Sequence, residues 1–213
     1  MANYRYIDDL FLLRFPNGLD DEEFLELGKK HKSSSKILEM VKNEIDLESF
    51  QLEDNYHVSK NIGLIIKMVT KSTMVSVFEK VAFKNYLADP LVHVSFLQSL
   101  YAMLKNLNED TMAEFVGVLN YRRLDSSKKV ATWPIVTFFL IYFDEYNEVY
   151  IKPTTIRRLA KLLEFDIKYE STPNYMTYQR VKEMVMAFKK QSILVKNENN
   201  INVQAIMYCA LNI

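Results

Sequence analysis

An all-α fold of eight or nine helices is predicted by three features of the sequence. The 213 residues include only 4 Gly and 5 Pro, too few for the many tight turns of an all-β chain. Leu, Met, Lys and Glu, which lose little rotamer freedom in a helix, are plentiful. Apolar residues recur at i, i+3, i+4 and i+7 along the whole chain, the spacing that lines one helix face. At most one short extended segment, near Val149–Lys152, interrupts that pattern.

Asp20 followed by Glu23 makes a capping-box pattern ahead of Phe24 and Leu27. The Ser33-Ser34-Ser35 run recaps the chain, and Ile37, Met40, Val41 and Ile45 form the next apolar stripe. Residues 46–56 read as a polar connector. A helix is expected from about Val58 to Val69, and another from about Met74 to Leu87 with Met74, Phe78, Val81 and Ala82 inward. Asp89-Pro90 is a cap followed by a first-turn proline, opening a helix with Val92, Phe96, Leu100, Met103 and Leu107 on one side. Asn108 caps the next, where Met112, Phe115, Val116 and Leu119 repeat the spacing.

Residues 122–129, R-R-L-D-S-S-K-K, are a basic, polar connector and the best internal boundary. The expectation is one helical domain, 1–213, divisible into an acidic N-terminal portion (residues 1–121) and a basic C-terminal portion (residues 130–213). The net charge is zero, yet residues 1–55 carry 13 acids against 7 bases, and residues 122–213 carry 14 bases against 9 acids. A polycation is excluded; a C-terminal face that attracts anions is not.

After the connector, Thr132 caps a helix with Pro134 in its first turn. Ile135 to Phe143 is apolar all round, so this helix is expected at the centre of the molecule. Asn147 to Lys152, N-E-V-Y-I-K, has the β-branched and aromatic content of a short strand or extended arm ending at Pro153. Thr154 or Thr155 caps the next helix, with Ile156, Leu159, Ala160 and Leu163 inward and Arg157, Arg158 and Lys161 outward. Pro173 or Asn174 starts another, with Tyr178, Val181, Val185 and Phe188 inward and Arg180, Lys182, Lys189 and Lys190 outward. A last helix runs from Val203 to about Leu211.

Four blocks in this half, W-P-I-V-T at Trp133, Y-I-K-P-T at Tyr150, P-N-Y-M-T-Y at Pro173 and I-N-V-Q at Ile201, resemble a family of bacterial proteins without a known activity. Asn202 stands where that family usually has an acid. The resemblance implies a polar requirement at Lys152, Thr154, Asn174, Tyr178 and Gln204. It transfers no catalytic residue.

Catalysis has little support. His31, His57 and His93 are scattered, without the spacing that sets two imidazoles on one helix face for a metal. Cys209 sits on an apolar stripe with Ile206, Ala210 and Ile213, as a small buried hydrophobe does. The four dispersed glycines build no phosphate loop. Asp144, Glu145 and Glu148 cluster at a turn and read as solvated carboxylates. No metal and no cofactor is expected. A single cysteine, an acidic N-terminus and no long apolar run predict a cytoplasmic protein without a membrane span.

The expected function is a non-catalytic binding protein that contacts nucleic acid through a helix–turn–helix-like region, 154–190. Arg157, Arg158 and Lys161 would hold the backbone, while Asn174, Gln179, Arg180 and Lys182 would face base edges or phosphates. The connecting segment 166–172 is longer than the usual turn of that motif. The alternative is a protein–protein adaptor, a homo-oligomer, or a subunit of a bacterial defence or mobile-element complex.

Overall fold

The computed structural model describes residues 4–30, 33–121 and 129–211. His31, Ile213 and most of the 122–129 connector lie outside the described residues. The described residues form eleven α-helices and three short 3-10 turns, with no strand. In order the helices are α1 (Arg5–Arg14), α2 (Glu22–Lys30), α3 (Ser33–Glu44) and α4 (Asn55–Lys71). Then come α5 (Val77–Tyr86), α6 (His93–Lys105), α7 (Glu109–Asn120) and α8 (Trp133–Phe143). The last three are α9 (Pro153–Leu162), α10 (Tyr175–Gln191) and α11 (Asn200–Leu211).

The all-α expectation holds; eight or nine helices is too few. The N-terminal helix α1 escapes the periodicity, because Arg5, Asp8, Asp9 and Arg14 dilute its apolar stripe. The structure buries Ile7, Asp8 and Phe11 together. The 46–56 connector holds a 3-10 turn, Leu47–Gln51, capped by Asp46. Asp21, and not Asp20, receives the first-turn N–H of Glu23 at 3.0 Å.

α8 is the central helix. Thr132 Oγ1 accepts the N–H of Ile135, Pro134 lies in the first turn, and Trp133 through Tyr142 are all buried. The Phe139 ring stands 6.1 Å from Phe83, 6.1 Å from Phe96 and 6.0 Å from Phe115, mostly tilted or edge-on. Through these rings α8 joins α5, α6 and α7. The two ends of the chain meet as α1 packs on α11. There the buried carboxylate of Asp8 accepts from Ser192 Oγ at 2.7 Å and from the Ile193 N–H at 2.8 Å.

α5 turns a different face inward from the one expected. Ser76 and Glu79 close a capping box that fixes its start. Ala82 and Phe83 are then buried, while Phe78 is 80% exposed and Val81 points outward with it.

No strand forms at Val149–Lys152. Val149, Tyr150 and Ile151 are buried, so their backbone groups need partners. Side chains from three helices supply them in place of a neighbouring strand. Thr137 Oγ1 on α8 accepts the Ile151 N–H at 2.9 Å and donates to its own helix at the Trp133 carbonyl, 2.7 Å. The Tyr178 hydroxyl on α10 accepts the Val149 N–H at 3.1 Å. Asn200, at the start of α11, donates through Nδ2 to the carbonyls of Tyr146 at 3.1 Å and Glu148 at 2.8 Å.

Candidate nucleic-acid interface

This pinned segment delivers the chain into α9. Its first residue is Pro153, so Thr154 and Thr155 are inside the helix rather than caps. Ile156, Leu159 and Ala160 are buried, some of them against α11. Arg157, Arg158 and Lys161 are exposed on the opposite side, as the periodicity predicts. The Arg157 guanidinium lies 5.3 Å from the Tyr169 ring centre, and Lys152 Nζ lies 4.2 Å above the Tyr208 ring. These contacts steady the two side chains while leaving their charge at the surface.

The residues expected on α10 are differently placed. Asn174 is the cap of α10: its Oδ1 accepts the Thr177 N–H at 2.9 Å and its Nδ2 donates to the Thr172 carbonyl at 3.1 Å. Arg180 donates through Nε to the Asp166 carbonyl at 3.2 Å, pairs with Glu183, and stacks 4.6 Å from the Phe165 ring centre. Lys182 Nζ pairs with Glu148 at 2.9 Å, with both side chains largely covered. Gln179 is half-buried. Of the seven expected residues, the structure gathers Arg157, Arg158 and Lys161 on one face and gives Asn174, Arg180 and Lys182 intramolecular work.

Between α9 and α10 the chain follows an irregular path over 163–174 instead of a short turn. Two non-glycine residues there, Glu164 (φ 51°) and Lys168 (φ 47°), adopt left-handed backbone. The path is tied down where Trp133 Nε1 donates to the Glu170 carbonyl at 2.8 Å and Thr177 Oγ1 to the Lys168 carbonyl at 2.6 Å.

Sequence reading missed the polar cluster around Glu148. Its carboxylate accepts from the Tyr178 hydroxyl and from Lys182, which stand one turn apart on α10. That i, i+4 spacing was the available signal. The other turn carboxylates are also engaged: Asp144 accepts from Asn147, and Glu145 from Asn199. Lys189, expected outward, is buried and donates to Asn200 Oδ1 at 3.0 Å.

None of this cluster is set up as a nucleophile. Burial first, and then the Glu148 charge, push the Tyr178 phenol well above its ordinary range. Burial likewise raises the Cys209 thiol and lowers the Lys189 ammonium. His57 pairs with Asp54, and His93 with the Leu87 carbonyl. Among the described residues no group of His, Cys, Asp and Glu is gathered as a metal site requires, and no helix is long and apolar enough to cross a membrane. No protein-family model, curated protein or solved structure matches the chain.

Proposed function

We propose that the protein is a non-catalytic binding protein that holds the phosphate backbone of a nucleic acid on the outward face of α9. The observation that carries this reading is the exposure of Arg157, Arg158 and Lys161 within five residues of one helix whose other face is packed in the core. Lys161 lies one turn beyond both arginines, so the three charges share a stripe. Such a stripe supplies sequence-independent affinity and orientation, with base reading left to other groups. The commitment of Asn174, Arg180 and Lys182 to the fold moves the proposed footprint from α10 to α9.

Fluorescence anisotropy with labelled single- and double-stranded DNA and RNA, at low and at physiological salt, tests the reading. Salt-sensitive binding in the micromolar range or tighter is expected. Absence of binding to every one of these at low salt would overturn it. The alternative, an adaptor that works through protein contacts, has a separate observation in its favour: the outward Phe78.

A further inference from the structure

α5 exposes apolar side chains that the fold does not use. Val77 is 71% exposed, Phe78 80% and Val81 45%. At 100° per residue these three fall within an arc of about 100°; the buried Phe83 lies opposite its centre, and the small buried Ala82 borders it on the Phe78 side. Scattered single apolar residues are normal at a surface; three on one helical stripe, with a phenylalanine at four-fifths exposure, mark a contact face.

The charge beside this stripe is one-sided. Lys80 and Lys84 stand one turn apart along its edge, and neither ammonium is held by a hydrogen bond or an ion pair among the described residues. The helix has a single acid, Glu79, and it is consumed internally. One carboxylate oxygen accepts from Ser76 N–H and hydroxyl, and the other from Thr132 Oγ1 at 2.9 Å. An incoming chain therefore meets an apolar strip edged by two cations that no carboxylate of the described residues pairs.

We infer that this face of α5 docks an acidic amphipathic helix of a partner protein. Apolar side chains at i, i+3 and i+4 on the partner cover Val77, Phe78 and Val81, while its carboxylates meet Lys80 and Lys84. One short helix face buries less than a standard protein–protein interface, so the complex is a weak, reversible one. The inference stands apart from the α9 reading: it concerns another ligand on another helix.

The test uses the full chain and a fluorescent synthetic helix of about 18 residues, with Leu along one face and Glu on the remainder. A matching peptide with Lys for Glu serves as the control. The Leu/Glu peptide is expected to bind, and Phe78→Ser or the pair Lys80→Glu/Lys84→Glu to weaken it by about 10-fold or more. Reversal of Arg157, Arg158 and Lys161 leaves peptide binding intact. Phe78 is exposed, so Phe78→Ser keeps the thermal unfolding midpoint and its loss of binding is not a folding artefact. Equal binding of the Lys peptide, or undiminished binding by Phe78→Ser, overturns the inference. So does a wild-type dimer in sedimentation that Phe78→Ser converts to monomer, which assigns the face to a second copy. A loss of nucleic-acid binding in Phe78→Ser equally overturns it, by assigning the face to nucleic acid.

Discussion

The Tyr178 hydroxyl accepts the backbone N–H of Val149 at 3.1 Å while donating its own proton to Glu148. One phenol thus satisfies a buried amide and a largely covered carboxylate on a segment that has no strand partner. Tyr178→Phe keeps the ring and deletes both bonds, leaving the Val149 N–H buried and unpaired. The expected loss is about 1–3 kcal/mol in urea unfolding. A change within a few tenths of a kcal/mol would show that the bonds do not hold the segment.

Asn200 makes the corresponding contacts from α11, to the carbonyls of Tyr146 and Glu148 and from Lys189. Asn200→Ala removes all three and leaves the buried Lys189 ammonium with its contact to the Tyr146 ring, at a cost of about 3 kcal/mol. Because Tyr178 and Asn200 pin the same segment, the double variant is expected to cost less than the sum of the two. The coupling should be about 0.5–3 kcal/mol in a double-mutant cycle. Strict additivity would mean that the two clamps act independently.

Alkaline pH probes the buried phenols. Burial raises the folded-state pKa of Tyr142, Tyr150 and Tyr178 above the ordinary value of 10.0. Below about pH 10 both folded and unfolded chains hold these protons, and the stability they contribute is complete. Above it the unfolded chain releases them first, so stability falls as pH rises. Lys189 acts with the opposite sign: its lowered pKa lets the folded chain release a proton first, which adds stability up to the ordinary lysine range. With these three phenols, Tyr86 and the Cys209 thiol all raised by burial against one lysine lowered, the net expectation is a decline between about pH 10 and about pH 11. Tyr178→Phe makes that decline shallower by up to about 1.4 kcal/mol per pH unit. An unchanged slope in the variant would contradict the assignment.

Charge reversal separates surface cations from structural ones. Lys182→Glu sets a second carboxylate against Glu148 inside a covered site and is expected to destabilise by about 2–4 kcal/mol. Arg157→Glu, Arg158→Glu and Lys161→Glu change exposed positions and are each expected to stay within about 0.5 kcal/mol. Thermal unfolding of the four single variants checks this ordering. A destabilised α9 variant beside an unaffected Lys182→Glu would reverse the roles given to the two helices.

Features set by neighbours in sequence are legible. Asn108, Thr132 and Asn174 cap helices because a cap needs only the amide about three residues on. The two sides of α9 are equally plain, since Ile156, Leu159 and Ala160 alternate cleanly with Arg157, Arg158 and Lys161. The inward face of α5 is not, because Val77, Phe78, Val81, Ala82, Phe83 and Tyr86 spread apolar residues over about two-thirds of its circumference. The choice is made by Phe96 on α6, which meets Phe83 at 5.8 Å and Tyr86 at 6.4 Å. The Glu148 cluster joins residues from separate helices, and no local spacing announces that Asn200 will reach its carbonyl. Lys189 reads as a surface charge for the same reason: its partner belongs to the next helix.

The measurement that tests the α9 reading most directly compares wild type with the combined Arg157→Glu/Arg158→Glu/Lys161→Glu variant. Nucleic-acid affinity is followed by anisotropy across a salt series. About three phosphate contacts predict a log–log salt slope near −3 for wild type on duplex DNA, and no binding by the variant at unchanged unfolding temperature. Equal affinity in the folded variant, or wild-type binding indifferent to salt, would contradict the account.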